Sequence, residues 1–164
     1  MRRTMTGLFV CALALTGASA VAQADPAPLP LVSLTTIPDG WSQRTDLRPV
    51  LQVFADGKAV HRPDAVSKDR KADTDPKKVT GKVAPEVISA ARTEIDAMRE
   101  LDFGIPAGEG KGLQIIDLLP EDAAGDVHLV VYSPDATDGL NPEQQAARKR
   151  FADLYRKLVD AFTS

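Results

Sequence analysis

The chain has 164 residues, a formal net charge of −3 at pH 7 and one cysteine. Its length corresponds to one domain with its own hydrophobic core. The mildly acidic balance argues against general nucleic-acid binding, which needs a basic surface, and a single cysteine excludes a framework of disulfides.

Residues 1–24 have the pattern of a signal peptide. A basic start, Met1–Arg3, is followed at residues 7–15 by an apolar run that is too short to span a bilayer. Two sites with small residues come next, Ala18–Ala20 and Ala22–Ala24, and we expect cleavage after the second. The alternative is an uncleaved membrane anchor. After cleavage the protein would be secreted, extracellular or bound to the cell wall, with no cysteine and no transmembrane segment.

Residues 25–48 are predicted to form an N-terminal arm. Its beginning is rich in proline, and residues 31–37 are rich in β-forming side chains, which predicts a possible edge strand. Trp41 follows in an irregular stretch. It is interpreted either as a residue at the rim of the core or as an exposed aromatic anchor for a partner.

A β-hairpin is predicted next. Apolar residues alternate with other residues from Val50 to His61, on both sides of Asp56-Gly57. An Asp-Gly pair between such strands is typical of a two-residue turn, because both positions need a positive φ. This turn would place His61 opposite Gln52.

Residues 62–82 are predicted to be an exposed, mobile, charged loop, because they contain little that could be buried. The alternative interpretation is a basic arm that binds an anionic polymer of the cell envelope. Asp64, Asp69, Asp73 and Asp75 interrupt its positive charge and favour the solvated loop.

Two helices are predicted from their start signals and apolar stripes. The first runs from Pro85 to Leu101 and the second follows Asn141, which is a good N-cap with Pro142 at the first helical position. Their predicted buried residues are Ile88, Ala91, Ile95 and Met98, and then Ala147, Phe151, Leu154, Leu158 and Phe162. The cationic residues of the second helix, Arg148 among them, are expected to face solvent.

Residues 49–164 are therefore predicted to form a single α+β domain. Strands at 113–119 and 126–133 complete a hairpin, helix, hairpin, helix order. The expected architecture is a two-layer sandwich, in which an antiparallel sheet of four or five strands carries two helices on one face.

The sequence contains no recognisable catalytic, cofactor-binding or metal-binding motif. We therefore predict no cofactor and no metal, and five residues are retained as weak surface candidates: Trp41, Asp117, Asp126, His128 and Tyr132. Asp126 and His128 share a strand face and could present two metal ligands, but this spacing is also that of an ordinary strand pair. Asp117, His128 and Tyr132 could form a non-obvious hydrolase site.

The stretch at 126–162, DVHLVVYSPDATDGLNPEQQAARKRFADLYRKLVDAF, resembles small secreted proteins of high-GC Gram-positive bacteria. The hairpin at 50–60 and the FGIP turn at 103–106 are similar as well. The resemblance implies export and a shared fold, and it carries no assigned activity.

The favoured hypothesis is a secreted, non-enzymatic domain that binds a protein or a component of the cell envelope. It follows from the predicted export, the single domain and the lack of a catalytic motif. The alternatives are a small extracellular hydrolase and a secreted protease inhibitor.

Overall fold

The computed structural model describes residues 28–108 and 111–164. The predicted signal peptide and the first residues of the arm lie outside this part of the chain. Six strands and two α-helices occur within it, together with a short 3₁₀ turn at Ala123–Gly125. In chain order they are β1 (Val32–Ile37), β2 (Leu51–Val53), β3 (Lys58–His61), β4 (Val79–Lys82), α1 (Pro85–Ala97), β5 (Leu113–Leu118), β6 (Val127–Tyr132) and α2 (Pro142–Asp160).

The strands form one antiparallel sheet in the order β4-β3-β2-β1-β5-β6. Alternate residues of the sheet and the stripes of both helices share one hydrophobic core, so the helices cover one face. The predicted α+β class is confirmed. The predicted count of four or five strands was too low, because four strands precede α1, where a hairpin and a possible edge strand were predicted.

β1 is a central strand, which corrects the prediction of an edge strand at residues 31–37. It pairs with β2 on one side and with β5 on the other. Val32 and Leu34 are completely buried under the helices, which requires neighbouring strands on both sides. The position of a segment in the sequence does not determine its position in a sheet.

The hairpin between β2 and β3 has a three-residue loop in place of the predicted two. The Phe54 N–H donates to the Lys58 carbonyl at 2.8 Å, and Gly57 has a φ of 82°. The extra residue shifts the register, so that His61 lies opposite Leu51. A shift of one residue turns every side chain to the other face, and His61 therefore points to the helix side and packs at a tilt against Phe162, with 5.2 Å between the ring centres.

The charged stretch at 62–82 is more ordered than predicted. Its last four residues are β4, and Arg70 within it is buried. A polar sequence can be held in place by hydrogen bonds to distant residues, and those bonds leave no local pattern.

Both helices have the predicted buried stripes, except that Phe162 is only partly buried. Asn141 forms the predicted capping box with Gln144. α1 ends at Ala97, earlier than predicted, and Leu101 is exposed. Arg148 was expected to face solvent, but it is 5% exposed because its guanidinium binds the main-chain carbonyls of Phe103, Tyr132 and Ser133.

Candidate binding surface on the open sheet face

The face of the sheet opposite the helices is predominantly polar across its middle. Strand alternation and register place one residue from each strand in a single row: Thr80, Val60, Gln52, Ser33, Asp117 and His128. Only Val60 in this row is apolar. We call this surface the open face.

Asp117 and His128 form a pair at one end of the row. They are opposite each other on β5 and β6, and His128 Nδ1 lies 2.8 Å from Asp117 Oδ1. The imidazole donates to the carboxylate, which fixes the orientation of its ring. The His128 side chain is 62% exposed, so the pair stabilises the fold by less than about 1 kcal/mol. The pair is therefore accessible without being needed for stability.

Ser33, the serine beside this pair, does not complete a hydrolytic triad with it. In such a triad the histidine lies between the nucleophile and the acid. Here Asp117 on β5 lies between Ser33 on β1 and His128 on β6. The acid is therefore between the serine and the histidine. Ser33 is also buried.

Asp126 and Tyr132 flank His128 on the open face but do not converge with it. Tyr132 is four residues along the extended strand, which corresponds to about 13 Å, and Asp126 is about 7 Å away in the other direction. Within the part of the chain that the structure describes, no group of three or more His, Cys, Asp or Glu could hold a metal ion.

Trp41 lies apart from these four, in the loop between β1 and β2. Its half-buried ring packs against two guanidinium groups, with Arg44 at 3.9 Å and Arg70 at 5.2 Å from the ring centre. This contact is a cation–π arrangement. The tryptophan is engaged within the protein, so it does not extend the surface around His128.

Asp46 joins the same two arginines, and the sequence analysis did not identify it. Its carboxylate accepts a hydrogen bond from Arg44 and one at 2.6 Å from Arg70. The bond from Arg44, followed by that from Arg70, holds the pKa of Asp46 far below its ordinary value. The cluster ties the loop at 38–50 to the loop at 62–78.

Two clefts lie on the helix side of the molecule. One, of about 400 Å³, separates α1 from α2 beside the Glu94–Arg150 ion pair. The other, of about 900 Å³, lies between α1, the β2–β3 turn and the β5–β6 turn. None of the five predicted surface residues lines either cleft.

β6 forms one edge of the sheet. The Ser133 N–H donates to the Gly112 carbonyl, so residues 127, 129 and 131 bond to β5, while His128, Val130 and Tyr132 direct their N–H and C=O groups outward. Among the described residues no main-chain hydrogen bond reaches these outward groups, and Arg148 Nη2 alone donates to one of them, the Tyr132 carbonyl, at 2.7 Å. Recognising this edge required the strand order.

A scan against models of known protein families found no match to this chain, and searches of curated proteins and of solved structures found none either. No helix in the described residues combines the length and the apolar character needed to cross a membrane.

Proposed function

We propose that this protein is an exported, non-enzymatic binding domain that contacts a protein or a cell-envelope component through the open face around Asp117, His128 and Tyr132. The observation that carries the proposal is the surface itself. His128 and Tyr132 are exposed and Asp117 is partly exposed, on a sheet face that both helices leave uncovered, and none of the three belongs to the hydrophobic core.

Export is supported by the leader pattern at residues 1–24. The mass of the protein recovered from culture medium and from washed cell walls tests it. We expect a chain that begins at Asp25. Recovery only inside the cell, with the leader intact, would contradict export.

The binding role is tested by comparing retention on washed cell walls, and cross-linking to wall or supernatant proteins, between the wild type and two variants. We expect His128→Ala and Tyr132→Ser to lower retention or cross-linking several-fold. Arg156→Ser, on the exposed side of α2, is the matched control and should behave as the wild type. Equal retention of all four proteins would exclude this surface.

The hydrolase alternative is tested with ester, peptide and glycoside substrates. The reversed order of Ser33, Asp117 and His128 argues against it. Turnover that disappears in both Asp117→Ala and His128→Ala would overturn the non-enzymatic proposal, whereas turnover that survives both changes would discard this site. The inhibitor hypothesis remains a prediction that residual protease activity would check.

A further inference from the structure

β6 has the properties of a strand edge that accepts another strand. We propose that it pairs antiparallel with β6 of a second copy of this chain, about a two-fold axis at Val130, so that two sheets join into one. The proposal concerns self-association. It therefore goes beyond the proposed binding of another partner.

The outward groups of β6 require a polypeptide occupant. N–H and C=O groups that alternate at strand spacing are matched by the main chain of another strand. With the axis at Val130, each Val130 bonds to its equivalent, and His128 pairs with Tyr132 of the second copy. The carbonyl of Tyr132 keeps a lone pair for this bond, because a carbonyl oxygen has two and Arg148 uses one.

β6 also lacks the features that protect exposed edges. Natural edge strands carry charges or proline, contain a bulge, or are covered by another segment. The β6 sequence, VHLVVY, contains no lysine, arginine, acid or proline, and its six residues pair with β5 without interruption.

Exposed apolar side chains flank the same edge. The described residues contain four exposed large apolar side chains: Leu29, Leu101, Ile105 and Tyr132. Arg148 binds the carbonyls of Phe103 and Tyr132. Leu101 and Ile105 are each two residues from Phe103 in the sequence. Arg99 also contacts the Gly125 carbonyl before β6 begins, so arginine side chains link the segment from Arg99 to Phe103 to both ends of β6.

A two-fold axis at Val130 also matches side chains along the edge. His128 meets an aromatic ring on the open face, and Leu129 meets Val131 of the second copy on the helix side. Leu101 and Ile105 add apolar surface beside this edge, since 36% and 76% of their surfaces are exposed. Burial of this apolar surface favours association, and the two open faces become continuous in the dimer.

The first test measures mass against concentration for the purified exported protein by analytical ultracentrifugation. We expect the mass of two chains at high concentration and a fall toward one chain on dilution. Val130→Pro removes an outward N–H that has no partner among the described residues, and Val130→Lys adds a charge, so both should remain monomeric. Thr80→Pro removes the equivalent outward N–H of β4 and should dimerise normally. Circular dichroism establishes that each variant is folded.

A second test uses disulfide formation in a Cys11→Ala background, where no other cysteine is present. In a hydrogen-bonded antiparallel pair the Cα atoms are about 5.5 Å apart, within the range of a disulfide. Val130→Cys should therefore form a covalent dimer rapidly on mild oxidation, and Thr80→Cys should not.

Three outcomes would overturn the proposal. They are a wild type that stays monomeric at every concentration, dimers of Val130→Lys as stable as the wild type, or equal cross-linking at positions 130 and 80. A monomeric wild type together with loss of cell-wall retention in Val130→Pro would mean that the edge binds a segment of another protein. This result would also overturn the proposal of self-association. Retention measured with His128→Ala and Tyr132→Ser remains a separate test of the proposed function.

Discussion

β4 and β6 are the two edges of one antiparallel sheet, and they differ in what the described residues place beside them. At β4 Thr163 closes the edge at Lys82 by exchanging two main-chain hydrogen bonds with it, at 2.8 and 2.9 Å. At β6 one carbonyl is bound by a side chain and the other outward groups have no partner among the described residues. The difference shows that edge protection is supplied from outside the strand.

Gly81 makes the closure of β4 possible. A Cβ atom at this position would lie 2.1 Å from the Thr163 carbonyl oxygen and 2.7 Å from the Phe162 ring. The strand VTGK can therefore be covered by the end of the chain, and its lysine is an edge charge in addition. β6 has neither feature, which is why we expect self-association at β6 alone.

The largest expected effect comes from Phe151, which supports the segment beside the open edge. It is fully buried and packs edge-on against Phe103 at 5.7 Å. We expect Phe151→Ala to lower the free energy of unfolding by about 3–5 kcal/mol, measured by urea denaturation. Arg156→Ala on the exposed side of α2 should change it by less than about 0.5 kcal/mol. A midpoint close to the wild type would contradict the burial.

Arg148 is the next position, because it joins the end of β6 to the Phe103 carbonyl. Arg148→Met keeps much of the buried stem but leaves three carbonyls without their charged donor. We expect a loss of about 2–4 kcal/mol in the free energy of unfolding. Arg148→Lys should lose less, since an ammonium can keep part of this bonding. Equal stability of the methionine variant and the wild type would contradict the role of the guanidinium.

Gly81→Ala tests the closed edge directly. The added methyl must displace Thr163 or Phe162, and we expect a loss of about 1–3 kcal/mol in the free energy of unfolding. The Lys82 amide should also exchange its hydrogen faster, because its partner is the Thr163 carbonyl. Removal of Thr163 and Ser164 should raise the same exchange rate without the steric strain. An unchanged rate in both proteins would mean that the C-terminus does not close β4.

The smallest effect is expected at acid pH, in the loop that leads to β4. The arginines lower the pKa of Asp46 in the folded state far below its ordinary value. A carboxyl group whose pKa is lower in the folded state than in the unfolded state stabilises the fold when it is ionised. This stabilisation is complete above the pKa of the unfolded state, and it is lost as the pH falls through the pKa of the folded state. The wild type should therefore become less stable below about pH 4. Asp46→Asn lacks this stabilisation at every pH, so its stability should fall less over the same range. Thermal unfolding from pH 7 to pH 2 measures this, and parallel pH profiles would contradict it.

Much of the local structure could be predicted from the sequence. The capping box at Asn141 and the stripe of α1 depend on residues three or four apart, so their pattern is present in the chain itself. The face that His128 shares with Tyr132 was predicted for the same reason. The edge status of β1 and the two-residue turn were wrong, because both depend on pairing with partners that periodicity does not specify.

The candidate site was predictable only in part. Asp117 and His128 were both predicted as candidates, but the sequence does not reveal that they are neighbours, since that depends on the β5–β6 register. Asp46 and Arg148 were missed because their partners lie up to 45 residues away. The sequence likewise contains no pattern that predicts the closed edge at β4, which depends on Gly81, Lys82 and Thr163.

The sequence by itself determined both helices, most of the strands and most of the side chains that turn inward, because short-range hydrogen bonding and the alternation of apolar residues act between near neighbours. β4 and the face of His61 are the exceptions, since both depend on pairing with distant residues. The tertiary structure alone decided which strands are edges and which edge is closed. That choice depends on where the C-terminus, Arg148 and the loops come to lie, and only the packing of helices on the sheet brings those distant segments together.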